Sequence, residues 1–223
     1  MSVSQVPRQL ALALDHAESF AREDFLSGSC NAAALALVER WPDWGTQSVV
    51  VVGPEGSGKS HLAGIWAANA GARFLAARAL APALVPTALA TGALVVEDLF
   101  PGQFDERALF HLLNLAREEC AFVLLSARSA PAGWTFAIAD LASRLKALPV
   151  ATLTAPDDAL LRAVLVKLFA DRQLTVDESL VGYLVKRIER SMAAARSMVA
   201  VLDHEAMRQR RPLTRALAAE ILR

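Results

Sequence analysis

The chain has 223 residues, 54% hydrophobic and 21% charged, enough to bury the core of an α/β unit with a small second unit beside it. Its 23 Lys and Arg balance 23 Asp and Glu, so neither a strongly basic surface nor strong direct DNA binding is expected from net charge. No apolar stretch is long enough to span a bilayer, and the N-terminus lacks the basic-then-apolar pattern of a signal peptide. Cys30 and Cys120 lie outside any CxxC or Cys/His spacing, so the expectation is a cytoplasmic protein with two buried free thiols and no membrane partner.

Residues 1–22 read as a flexible tail in which Leu10, Leu12 and Leu14 alternate as in an extended strand. Asn31 to Arg40 reads as a helix with Asn31 at its N-cap, ended by Trp41-Pro42 because the residue before proline avoids the helical region. Ser48 to Val52 is a β-branched run suited to a strand covered on both faces. A glycine-rich loop follows, then a helix from Lys59 to about Ala70, a short strand Arg73–Ala76, and a short helix between Pro82 and Ala90. Strands are expected at Ala93–Glu97, Ala121–Ser126 and Val150–Leu153. Between the first two, a helix over Asp105–Cys120 carries Leu109, Leu112, Leu113 and Ala116 on one face. After Pro156 the pattern turns all-helical: Asp157–Asp171, Asp177–Arg190, Met192–Gln209 and Thr214–Leu222, with Asp157, Asp177 and Thr214 as caps. Alternating strands and helices imply a parallel sheet with crossovers, here followed by a small helical unit.

The loop Gly53-Pro54-Glu55-Gly56-Ser57-Gly58-Lys59-Ser60 fits GxxxxGK[ST] at every fixed position, after a strand and before a helix. Glycines let backbone N–H groups turn inward around phosphate oxygens, and the helix N-terminus adds its positive dipole end. Lys59 is placed to reach the β- and γ-phosphates, Ser60 to ligate Mg²⁺, and His61 follows directly on the helix. Leu94-Val95-Val96-Glu97-Asp98 is an apolar strand ending in two carboxylates, where such enzymes hold Mg²⁺ and orient water. The candidates are Glu97 for the metal and Asp98 for catalysis.

With these motifs in order, residues 24–222 resemble the AAA+ ATPases, above all the nucleotide-binding part of the bacterial replication initiator DnaA. The fold implied is an AAA+ P-loop parallel sheet flanked by helices, with a small all-helical C-terminal lid. The divisions would be a tail over 1–22, a nucleotide-binding domain over 23–154 and a lid over 155–223. In that likeness Asp24-Phe25-Leu26-Ser27-Gly28 resembles the segment lining the adenine pocket, making Phe25 and Leu26 nucleotide-binding candidates. Leu124–Pro131 resembles the sensor 1 region. Leu141-Ala142-Ser143-Arg144-Leu145 resembles the box whose arginine acts as a finger toward a neighbouring subunit's nucleotide, and Arg196 occupies the sensor 2 position. A DnaA-like module with a short tail, and with no DNA-binding domain after its lid, resembles the Hda-type regulatory inactivators of DnaA. Their N-terminal sliding-clamp peptide is matched by Gln9-Leu10-Ala11-Leu12-Ala13-Leu14. The resemblance implies ADP or ATP with Mg²⁺ as cofactors, DnaA and the DNA polymerase III sliding clamp as partners, and self-association as an option.

Two departures bear on chemistry. Glu97 stands where aspartate is usual, and Ala127 where sensor 1 usually carries a polar group, with Ser126 one residue away. Together they imply weak hydrolysis in the chain's own site. Other readings stay open: a DnaA-like adaptor such as a helicase loader, or a small P-loop kinase, though the latter needs an arginine-rich closing lid around an acceptor. Arg128 is read as structural or interfacial. His16, His61, His111 and His204 have no metal-ligand spacing, and Trp41, Trp44, Trp66 and Trp134 are read as core or partner-facing anchors.

Overall fold

The computed structural model describes residues 20–222, so the clamp-peptide candidates Gln9, Leu10, Leu12 and Leu14 lie outside the described residues. Five parallel strands form the sheet: β1 (Ser48–Val52), β2 (Arg73–Ala76), β3 (Ala93–Leu99), β4 (Phe122–Ala127) and β5 (Val150–Thr152), in the spatial order β2-β3-β4-β1-β5. The central strands are buried on both sides because side chains alternate across a strand. Val50 and Val52 of β1, with Leu94 and Val96 of β3, face one core; Val49, Val51 and Val95 face the other.

Helices α1 (Ala32–Glu39) and α2 (Lys59–Ala70) cover the second face through Leu35, Val38, Leu62, Ile65 and Trp66. The short α3 (Val85–Ala88), with α4 (Glu106–Glu118) and α5 (Ala139–Ala147), covers the first. On α4 the buried positions are Ala108, Leu109, Leu112, Leu113 and Ala116, the stripe its periodicity demands, and Asp105 caps it through the N–H groups of Arg107 and Ala108.

Helices α6 (Asp158–Asp171), α7 (Glu178–Val185), α8 (Met192–Gln209) and α9 (Arg215–Ile221) pack around a separate core of Leu161, Leu165, Phe169, Leu184, Val199 and Leu202, among others. Their starts are fixed by side-chain caps: Asp157, Asp177, Ser191 and Thr214 accept from Leu160, Leu180, Ala194 and Leu217.

Several expectations change in detail. Asn31 sits at the N-cap of α1 but makes no capping bond, because its side chain is used elsewhere, as described below. Helix α7 stops at Val185 rather than Arg190, since the chain must turn before Ser191 caps α8. Cys30 is buried, but Cys120 is exposed, in left-handed backbone just beyond α4. Trp44 and Trp66 are buried in the core, their rings 5.2 Å apart.

Candidate nucleotide-binding site

The carboxyl ends of β1, β3 and β4 point to one edge of the sheet, where open α/β sheets hold ligands. The glycine-rich loop leaves β1 there. Gly56 and Gly58 have positive φ (71° and 100°), which side-chain-bearing residues adopt at a cost. A Cβ on Gly53 would lie 2.8 Å from both the Leu153 carbonyl oxygen and Ser57 Oγ, so the loop closes only with glycine there.

Lys59 is buried, and its Nζ donates to the carbonyls of Gly53 (2.9 Å) and Pro54 (2.8 Å). Burial pushes the pKa of this ammonium down, and the Asp98 carboxylate is the largest opposing influence. Ser57 Oγ is buried inside the loop with no hydrogen-bond partner. An orphaned hydroxyl beside inward-turned glycines is the signature of a cradle shaped for an oxyanion ligand.

Two cavities meet at this loop. The smaller, about 300 Å³, is bordered by Glu55, Gly58, Lys59, Ser60, Asp98, Arg128 and Arg196, a phosphate-sized space rich in charge. The larger, about 470 Å³, lies between Phe25, Leu26, Ser57 and His61 on the sheet side and Val164, Lys167, Leu168, Met192 and Arg196 on the helical side. Its lining mixes flat apolar and polar groups, as a nucleobase pocket needs. Arg196 borders both, so a ligand filling the two would pass under one guanidinium.

The wall of the larger cavity is held from several directions. The buried Asn31 accepts from the Gly28 N–H (2.7 Å) and donates to the Leu26 carbonyl (3.0 Å), tying down the Phe25–Leu26 segment. His61 Nε2 lies 3.0 Å from the Ala21 carbonyl, and its ring meets Phe20 and Phe25 edge-on. Phe20 fits because α2 has Gly64 beneath it: a Cβ there would come within 2.6 Å of Phe20 Cβ.

The helical unit is fastened across the site. The Met192 N–H donates to the Gly56 carbonyl (2.9 Å), a Cβ on Gly56 would sit 2.7 Å from Ala193 Cβ, and Lys167 pairs with Asp24 at 2.7 Å. Those carboxylates, Asp24 first and then Asp171, raise the pKa of Lys167.

At the end of β3 the two acids part. Asp98 adopts left-handed backbone (φ 58°) at a bulge between Val96 and Leu99, and it borders the smaller cavity with Lys59 and Ser60. Glu97 stays in register opposite Ala76 and does not border the cavity, although its charge still acts on Lys59. The buried Ser126 hydroxyl accepts the Asp98 N–H at 3.1 Å, while Ala127 ends β4 as a buried apolar residue whose carbonyl accepts the Gly53 N–H. Ser126 therefore sets the backbone that carries Asp98.

No protein-family model matches the chain, and no curated protein sequence matches it. Solved structures do. Domain III of DnaA from Thermotoga maritima matches with a TM-score of 0.75 at 17% identity, over 91% of this chain and 95% of that one. AMPPCP-bound DnaA from Aquifex aeolicus matches at 0.70 and 16% identity, over 86% and 69%. A RuvB variant from Thermotoga maritima matches at 0.72 and 14% identity, over 91% and 70%. This is the AAA+ fold.

Within the AAA+ fold, the sequence-derived candidates divide by their place around the two cavities. Phe25, Leu26, Ser57, Gly58, His61 and Arg196 border the larger cavity, and Glu55, Gly56, Gly58, Lys59, Ser60, Asp98 and Arg196 the smaller; Gly53 and Pro54 supply the carbonyls that hold Lys59. Arg144 borders neither. It lies on α5 with its guanidinium 5.1 Å from the centre of the Phe110 ring of α4. Arg128, read from sequence as structural or interfacial, borders the smaller cavity and pairs with Glu55 at 2.8 Å.

Sequence reasoning missed Asn31 as a strut and Lys167, Asp171, Arg172 and Met192 as cavity wall. Helical periodicity shows which face of α6 is apolar, not which element faces its polar side. Among the described residues no cluster of His, Cys, Asp and Glu forms a metal-binding group, and no helix is long and apolar enough to cross a membrane.

Proposed function

We propose that this chain is a nucleotide-binding AAA+ regulator of replication initiation, which stimulates hydrolysis of ATP bound to DnaA and so represses re-initiation. In this reading ADP or ATP lies with its base against Phe25, Leu26 and His61 and its phosphates in the Gly53–Ser60 loop under Lys59 and Arg196. Mg²⁺, held by Ser60 with Asp98 or Glu97, would neutralise phosphate charge there. Gln9, Leu10, Leu12 and Leu14 would tether the chain to the sliding clamp on DNA. Residues 1–22 would serve as tail, 23–154 as nucleotide-binding domain and 155–223 as lid.

The observation that carries the proposal is the position of Arg144. It borders neither cavity of its own chain, and it rests against Phe110 on a helix otherwise packed through Leu141 and Leu145. An arginine placed away from its own phosphates is free to serve those of a neighbour. A finger supplied in trans is worth about 10³–10⁵ in rate. Weak hydrolysis in the chain's own site fits the apolar Ala127 and the engagement of Ser126 with the Asp98 backbone. Such a protein would hold a nucleotide as a structural ligand and act on its partner's.

The test is hydrolysis of labelled ATP pre-bound to DnaA, with clamp loaded on DNA. Wild-type protein should accelerate it, and a Gln9/Leu12/Leu14→Ala variant should not. No acceleration by wild type would overturn the proposal. The match to RuvB is nearly as good as that to DnaA, which favours as second reading an AAA+ adaptor or helicase loader. Parallel pull-downs with clamp and replicative helicase separate the two, since only a loader should retain the helicase.

A further inference from the structure

The zero net charge conceals a segregation. Residues 181–223 hold nine Lys and Arg against four Asp and Glu, a net charge of +5, and residues 1–180 carry −5. Most acids near this basic segment are already engaged. Asp203 pairs with Arg172, Glu205 with Arg208, Glu220 with Arg211, and Asp158 from α6 takes Arg190. Glu189 is the one acid of the segment without an ion pair among the described residues. Four exposed cations are left with no carboxylate partner among those residues: Lys186, Arg187, Arg210 and Arg215.

The fold gathers them. Arg187, just beyond α7, stands 4.0 Å from the centre of the Tyr183 ring, and Arg215, the first residue of α9, stands 5.3 Å from the same ring. Two guanidiniums, one just past α7 and one on α9, thus converge on one aromatic ring. Arg210 caps α8 and lies five residues before Arg215, within about 18 Å even if the chain between them were fully extended. Its backbone is left-handed (φ 52°, ψ 41°), at the helix end where glycine fits best. The site therefore holds an arginine where the backbone favours a residue with no side chain.

We propose that Arg187, Arg210 and Arg215, with Lys186, bind the phosphate backbone of nucleic acid at the end of the helical unit where α7 finishes and α9 begins. Planar guanidinium forks match phosphate oxygens, and the contact of two of them with one ring holds them near each other. An acidic peptide is the less favoured occupant, and here the inference rests on the reading above, which brings the protein to clamp-bearing DNA. Contacts of this kind are sequence-independent and weaken steeply with salt.

The experiment is fluorescence anisotropy of the full chain with a short labelled DNA duplex, without clamp or DnaA. Four phosphate contacts predict that affinity falls about 150-fold between about 50 and 200 mM salt. Arg210→Gly should weaken binding at low salt and lower the slope of log K against log salt by about 0.9, while its melting temperature stays level or rises. An Arg187→Ala/Arg215→Ala double variant should weaken binding further, and Arg117→Ala, an exposed arginine of α4, should leave it unchanged. Three results would each overturn the site: no binding of wild type at low salt, equal losses for Arg117→Ala and Arg210→Gly, or preferential binding of a polyglutamate peptide over DNA. Because DnaA is absent, failure here leaves stimulation of its hydrolysis untouched.

Discussion

Replacing Asn31 by alanine isolates the strut behind the larger cavity. The side chain is 2% exposed and makes two bonds, from Gly28 N–H and to the Leu26 carbonyl. Each contributes about 1 kcal/mol net, and stranding both partners in a half-buried segment raises the total to about 2–4 kcal/mol. That cost falls on the segment that presents Phe25 and Leu26, so a nucleotide must restore it on binding. If the segment is ordered only marginally without the side chain, 2 kcal/mol corresponds to about a 30-fold loss of affinity. The assay is a titration with a fluorescent ADP analogue beside a thermal melt. Asn31→Ala should lower both affinity and melting temperature. Asn31→Asp keeps the acceptor for Gly28 but buries a carboxylate and sets its oxygen against the Leu26 carbonyl, so it should cost at least as much as Asn31→Ala. A variant melting several degrees lower with unchanged affinity would refute the claim that this segment forms the pocket wall.

Other perturbations follow from the same geometry. Gly64→Ala would ordinarily favour an interior helix position by about 1 kcal/mol, but here the new Cβ meets Phe20 Cβ; it should stabilise only in a Phe20→Gly background, which removes that atom, as a double-mutant cycle of melting temperatures would show. Gly56→Ala adds a Cβ in left-handed backbone and presses on Ala193, costing about 1–2 kcal/mol before any lost contact, so titration should show weaker nucleotide binding. Glu205, bonded by Arg208 and Gln209, has its carboxyl lowered to about 2. A depressed carboxyl contributes stability that is complete above its unfolded value near 4.5 and is lost as pH falls toward 2; Glu205→Gln should therefore lower the melting temperature at neutral pH, flatten that acid limb of the profile, and converge on wild type near pH 2.

Legibility in the sequence followed the range of the interaction. Strand β1 and the loop after it could be read at residue level, because a β-branched run and a fixed glycine spacing encode their conformations locally. Helix α8 was read to both ends, and the caps Asp157, Asp177 and Thr214 act as their chemistry suggests. Helix α5 escaped, since its N-cap position is Ile138, which has no capping side chain. Asn31 is legible only in part: it holds the N-cap position its residue type suits, but only the folded chain shows that Gly28 and Leu26 claim its side chain. The parting of Glu97 and Asp98 depends on a bulge against β4 and on Ser126, which belong to a different strand. Likewise Lys167 reaches Asp24 across 143 positions of sequence, and no local pattern announces that contact.

The central claim is that Arg144 acts on a neighbour's nucleotide and not on the chain's own. Its direct test is Arg144→Ala with two readouts on the same preparation: affinity for ADP, and stimulation of ATP hydrolysis on DnaA with DNA-loaded clamp. The account predicts unchanged ADP affinity and a loss of stimulation on the order of 10³-fold, or to background. Full stimulation by the variant, or an equal loss of its own nucleotide binding, would contradict it.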